Sequence, residues 1–171
     1  VLLDRGAREV VAVDVGYGQL AWSLRSDDRV KVIERTNVRE LSPGMIGGQV
    51  EGIVADLSFI SLATVLPALT TCASPDADIV PMVKPQFEVG KDQVGAGGVV
   101  SDPELRKHAV VSVAARAAAL GWHTVGVAAS PLPGPSGNVE YFLWLRSETD
   151  RALQGDELAA AVNRAVAEGP Q

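Results

Sequence analysis

The sequence has one cysteine, Cys72, and two histidines, His108 and His123. A lone cysteine excludes an internal disulfide and points to a reducing compartment. Neither histidine has a cysteine or second histidine at metal-ligand spacing, so no metal is expected. No apolar run is long enough to span a bilayer, and no secretory signal is recognisable. The most apolar helical stretch, "HAVVSVAARAAALGW", carries Arg116 in its middle. These features predict a soluble, cytoplasmic chain. Internal repeats and low-complexity tracts are absent too. So is any excess of positive charge: 15 lysines and arginines stand against 21 acids, a formal net charge of −6. An acidic chain attracts phosphate backbones poorly, so RNA binding would need a local basic patch or a partner module. The imbalance is uneven, with seven basic and seven acidic residues in 1–40 but two and five in 147–171.

What is present is ample material for a core: 171 residues, 47% of them hydrophobic, the length of one domain. "EVVAVDV", "VEGIVADLS" and "ADIVPMVK" are short, β-branched apolar runs, each followed by a helix-like or loop segment. That alternation predicts parallel strands buried on both faces. "GQLAWSLRS" spaces Leu20 and Leu24 as a helix does. "ISLATVLPAL" repeats the pattern with Ile60, Val65 and Leu69, with Pro67 expected to bend or end it. "SDPELRKHAVVSVAARAAALG" reads as a full helix, capped by Ser101 or Asp102, with Pro103 in its first turn and Gly121 at its stop. Two strands follow, "WHTVGVAAS" and "VEYFLWLRS", the second with Tyr141, Leu143 and Leu145 on one side. "GDELAAAVNRAVAEG" closes the chain as an amphipathic helix. The fold class is therefore α/β, a Rossmann-like sheet flanked by helices and closing with a strand pair. Because "VLLDRGAREVVAVD" reads as a helix end followed by a strand, an earlier strand and glycine-rich turn are expected upstream of Val1.

In such sheets ligands bind beyond the carboxyl ends of the strands. The polar residues there are Asp14 in "AVDVGYG", Glu34 to Asn37 in "KVIERTN", Asp56 in "IVADLSF" and Lys84 in "PMVKPQFE", with Glu140 at or in the last strand. Asp14 is either a carboxylate for a cofactor ribose or a cap for the following helix. Asp56 is either a cap or a neighbour of Lys84 across adjacent strands, and Glu140 alone reads as an edge-strand surface residue. Lysine is seldom buried unless paired, so Lys84 is either a strand end turning to solvent or an amine that a site requires. The glycines of "VGAGGVV" read as a mobile loop rather than a phosphate cradle, since no strand-turn-helix surrounds them. Cys72 is placed in a loop and read as inert.

"VAVDVGYGQLAWSLR", "VADLSFISL", "PMVKPQFEVGK" and "SPLPGPSGNVEYFLWL" together resemble the TlyA family, also called haemolysin A, along essentially the whole chain. These are S-adenosylmethionine-dependent ribose 2′-O-methyltransferases with an FtsJ-like catalytic domain. The resemblance implies a class I methyltransferase sheet over residues 1–150, truncated at its front, with residues 151–171 as a helix and tail of the same domain. It implies a Lys-Asp-Lys-Glu tetrad whose last three members match Asp56, Lys84 and Glu140. The first lysine, the glycine-rich loop and an S4-like RNA-binding domain would lie upstream of Val1, so the chain alone is expected to be weak or inactive. S-adenosylmethionine is the implied cofactor, with Asp14, Val15, Asn37 and Asp56 around it, and no metal. Ribosomal RNA, with cytidines of both subunits as targets, is the implied partner, faced by Phe87, Ser136 and Asn138. No membrane contact is implied, and the oligomeric state is open. In that chemistry Lys84 is the general base, its proton affinity lowered by burial and by a nearby cation. The alternatives are a nicotinamide-dependent Rossmann enzyme using Asp14, a membrane-damaging protein, and a silent half-domain that packs on a partner through an exposed apolar face.

Overall fold

A computed structural model describes residues 1–170. The first residues form hydrogen-bonded turns, with Arg5 N–H donating to Val1 C=O at 2.9 Å. Strand β1 (Val10–Val13) leads through a single helical turn, α1 (Trp22–Arg25), to β2 (Val30–Ile33). A second short helix, α2 (Pro43–Ile46), precedes β3 (Val50–Ala55), which is followed by α3 (Leu62–Cys72) and β4 (Ala73–Val83). Then come α4 (Pro85–Glu88), α5 (Pro103–Ala118), β5 (His123–Ala129), β6 (Tyr141–Arg146) and α6 (Gly155–Glu168).

The strands form two sheets. β1 and β2 pair in parallel, and the larger sheet runs β3-β4-β6-β5. β3 and β4 are parallel, while β6 is antiparallel to both β4 and β5. This is the α/β sheet with a closing strand pair that the apolar runs predict.

The core differs from expectation in one respect. β4 and β6 are not buried on both faces; their burial alternates. Ala77, Ile79 and Val83 of β4 and Tyr141, Leu143 and Leu145 of β6 are wholly buried, joined by Leu62, Val65, Leu66 and Leu69 of α3. Val110, Val113 and Ala117 of α5 and Val162, Ala165 and Val166 of α6 complete the same cluster. The opposite face carries Trp144, which is 45% exposed, with its Nε1–H donating to Asp78 Oδ1 at 2.6 Å. The physical reason is coverage: α3, α5 and α6 pack into one core, and an antiparallel strand with one wet face alternates.

Pro67 does not end its helix; α3 runs on to Cys72. Proline removes an N–H, which strands the carbonyl four residues earlier. That carbonyl belongs to Ala63, and the Nε–H of Arg116, from the apolar half of α5, points to it at 3.4 Å. The Pro67 carbonyl is itself occupied by the hydroxyls of Thr70 and Thr71, at 3.1 and 2.8 Å. Helix α5 starts as expected, with Asp102 accepting from Glu104 N–H at 2.8 Å and Pro103 in the first turn. Gly121, at φ +81°, stands just past its end. Cys72 is the last residue of α3, not a loop residue, and its burial pushes the thiol up, away from reactivity.

Candidate active site

Strand topology brings three distant residues to one edge. β3 and β4 run parallel with Ala55 opposite Pro81, so their carboxyl ends lie side by side and offer Asp56 and Lys84 together. β6 is antiparallel to β4, with Tyr141 opposite Val83, so the residue just before β6 stands at that same edge. That residue is Glu140.

The distances follow. Lys84 Nζ lies 2.7 Å from Asp56 Oδ1 and 3.7 Å from Glu140 Oε1. It also donates to Ser58 Oγ at 3.2 Å. The Lys84 side chain is only 11% exposed and Glu140 9%, whereas Asp56 is 66% exposed. A nearly buried amine is therefore held by one buried and one open carboxylate. This answers the alternatives for all three residues: Lys84 does not turn out to solvent, Glu140 is not a surface residue, and Asp56 is an ion-pair partner. The groups facing the amine are two acids and a hydroxyl.

Glu140 is seated by the loop before β6. Its carbonyl accepts from Ser130 N–H at 2.8 Å, and Gly134 N–H donates to Asn138 C=O at 2.8 Å. A Cβ on Gly134 would come within 2.8 Å of Glu140 Oε1, so only glycine leaves room for the carboxylate. Asn138 is not an outward-facing residue. It is 2% exposed, and its amide donates to Gly98 C=O at 2.8 Å and accepts from Val100 N–H at 2.9 Å. Its buried polar atoms need those partners, and they tie the "GAGGV" loop to the approach of Glu140. Ser136, two residues earlier, is exposed.

On the other side of the amine, the segments after β3 and β4 are fastened to each other. Glu88 of α4 accepts from Ser61 Oγ–H and from Leu62 N–H, both at 2.7 Å, at the start of α3. Burial pushes the Glu88 carboxyl up, with those two bonds opposing it. Phe87 packs on Phe59, ring centroids 5.3 Å apart and tilted 49°. Phe59 is 91% exposed and sits at φ +63°, a left-handed conformation rare for an aromatic residue. Sequence reading singles out neither Ser58, Phe59 nor Glu88. The only local signal is proximity, since two lie within three residues of Asp56.

Next to this edge lies a cleft of about 600 Å³ lined by Asp14, Val15, Thr36, Asn37, Asp56 and Leu57, among others. Asp14 Oδ1 accepts from Gly16 N–H at 2.7 Å and so closes its own turn rather than capping α1. Asn37 Oδ1 accepts from Arg39 N–H at 3.1 Å, capping a 3₁₀ turn. Glu34 has a structural job: Arg25 grips it in two bonds of 2.6 and 2.8 Å, and Gly18 N–H adds a third at 2.7 Å. Among the described residues, no three His, Cys, Asp or Glu side chains gather as a metal would require.

A model of FtsJ-like methyltransferases matches residues 1–147. The chain belongs to the FtsJ-like methyltransferase family. It is 74% identical over 170 residues to the 16S/23S rRNA (cytidine-2′-O)-methyltransferase TlyA of Mycobacterium tuberculosis, covering 99% of this chain and 63% of that protein. It thus spans 63% of the length of those curated relatives. A solved structure from Streptococcus thermophilus that carries the name hemolysin superposes with a TM-score of 0.89 at 38% identity, over 98% of this chain and 60% of that one. A 16S rRNA (adenine(1408)-N(1))-methyltransferase from Catenulisporales acidiphilia shares the fold, at a TM-score of 0.51 and 18% identity, over 83% of this chain and 75% of its own.

Proposed function

We propose that this chain is the catalytic part of an S-adenosylmethionine-dependent ribose 2′-O-methyltransferase acting on ribosomal RNA, with cytidines as targets. The observation that carries the reading is the nearly buried Lys84 amine, clamped by Asp56 and Glu140 at the rim of a cleft of about 600 Å³. That size suits a nucleoside-sized ligand.

The residues present fit the cofactor. Asp14 has one carboxylate oxygen engaged by Gly16 N–H, which leaves the other for ribose hydroxyls. Asn37 uses only its oxygen on Arg39, which leaves its amide N–H groups for an adenine edge. Val15 and Leu57 give the cleft apolar walls. When bound, the sulfonium supplies an electrophilic methyl. Everything else falls to the protein. Lys84 Nζ, as an amine, takes the proton of the ribose hydroxyl; Asp56 and Glu140 fix its position and hold the charge that results. Phe87 with the exposed Phe59, and Ser136 on the loop before Glu140, form the side where a splayed-out nucleotide stacks. The domain runs over residues 1–150, and α6 belongs to it because Val162 and Val166 share its core. No helix among the described residues is long and apolar enough to cross a membrane, which accords with work on ribosomes in the cytoplasm.

The test is Lys84→Ala in the full-length protein, assayed on ribosomal subunits. Methyl transfer should fall at least about 100-fold, while calorimetric affinity for S-adenosylhomocysteine changes little. Retained turnover would remove Lys84 as the base.

A further inference from the structure

An ammonium has three N–H donors and no acceptor. Lys84 Nζ donates to Ser58 Oγ at 3.2 Å, and the carboxylates of Asp56 and Glu140 stand beside it as ion-pair partners at 2.7 and 3.7 Å. Two of the three partners are carboxylates, which only accept. Ser58 differs in kind: its hydroxyl accepts from the ammonium and donates to the lone pair once Nζ is an amine. It is exposed and lines the cleft together with Asp14, Asn37 and Asp56. Glu140, by contrast, is buried, with Gly134 against its carboxylate, and does not line the cleft. The direction from Nζ toward Ser58 is therefore open to the cleft and ends on a group that reverses its role.

We propose that Ser58 is a positioning residue for methyl transfer, aiming the third hydrogen-bond direction of Lys84 into the cleft and yielding it to the substrate hydroxyl. This deepens the reading above and rests on it. In the reacting arrangement the substrate O–H donates to Nζ along the line that Ser58 Oγ otherwise occupies, while Asp56 and Glu140 flank the nitrogen as ion-pair partners. The O–H bond breaks and an N–H bond forms as the oxygen gains an O–CH3 bond; the S–CH3 bond breaks with its electron pair left on sulfur, and S-adenosylhomocysteine departs as a neutral thioether. The ammonium so made again has three donors, Ser58 accepts one, and the extra proton passes to water.

The test compares Ser58→Ala, which removes the hydroxyl without adding bulk, with Ser58→Thr, which keeps it. Both are assayed in the full-length protein on unmodified ribosomal subunits, beside wild type and Lys84→Ala. Ser58→Ala should lose about tenfold in kcat, with KM for the subunits and affinity for S-adenosylhomocysteine within about twofold of wild type. Ser58→Thr should restore the rate. Wild-type kcat in Ser58→Ala overturns the role of Ser58, as does a loss confined to cofactor affinity. If wild type turns over and Lys84→Ala does not, that failure concerns Ser58 alone. A wild-type protein with no turnover overturns the methyltransferase reading together with it.

Discussion

The two sheets are held together by different forces. In residues 1–49, which carry β1 and β2, Ile46 alone is buried among the described residues, and every residue of β1 is half-buried. That region is fastened by polar contacts: Arg25 on Glu34, Glu34 on Gly18, and the Tyr17 ring with the Arg35 guanidinium 4.5 Å from its centre. The β3–β6 sheet has a continuous apolar core from Ala55 to Val166. Apolar burial stabilises by about 25 cal/mol per Å², whereas partly exposed ion pairs contribute about 1 kcal/mol or less. A two-stranded sheet is marginal by itself. Asp56, Lys84 and Glu140 all stand on the well-packed sheet, while Asp14 and Asn37 stand on the weaker one. The amine's surroundings are built on well-packed elements; one wall of the cleft is not.

Mutation can break this contrast. Leu66 is wholly buried in α3, so Leu66→Ala should cost about 2–5 kcal/mol in urea unfolding. Val11→Ala in β1 removes a half-buried side chain and should cost under about 1 kcal/mol. Equal losses would erase the difference between the sheets. A smaller effect concerns the cleft: Asp14→Ala should weaken S-adenosylhomocysteine about tenfold, roughly 1.4 kcal/mol, in calorimetry on this chain. Unchanged affinity would take Asp14 out of the site.

The smallest effects are in pH dependence, where the two regions pull in opposite directions. Hydrogen bonds from Arg25 hold the Glu34 carboxyl below its ordinary value. Its contribution is therefore complete above the unfolded carboxylate range and lost as pH falls through the lowered folded value. Glu88 is shifted up by burial. Its contribution is complete below the unfolded value and lost as pH rises through the folded one. Glu88→Gln, which keeps an acceptor for Leu62 N–H, should therefore stabilise the chain at pH 7 and change little below the carboxylate range. Urea midpoints at two pH values test this, and a gain of equal size at both would show that charge burial is not the cause.

Much of this molecule is legible without coordinates, because the signals are local. β-branched runs mark the strands, and Asp102, Pro103 and Gly121 bound α5 through backbone preferences that each residue carries with it. Asp56 and Lys84 are legible as strand-end polar residues because parallel strands put their carboxyl ends together. Glu140 needed the family pattern, since its own neighbours read as an edge strand. Asn138 shows the limit: polar and flanked by glycine, it looks like a loop tip, yet its amide is buried against Gly98 and Val100, some forty positions earlier.

The sequence by itself determined the elements, their order and the residues able to do proton chemistry, because propensity and side-chain chemistry act within a few residues. Tertiary structure alone decided which face of the large sheet stays wet, that an arginine from α5 meets the carbonyl exposed by Pro67, and that Phe59 adopts a left-handed backbone. It also decided that a serine completes the ring of acceptors around Lys84. Each of these depends on contacts between segments distant in sequence, whose energies exist only once the chain has closed on itself.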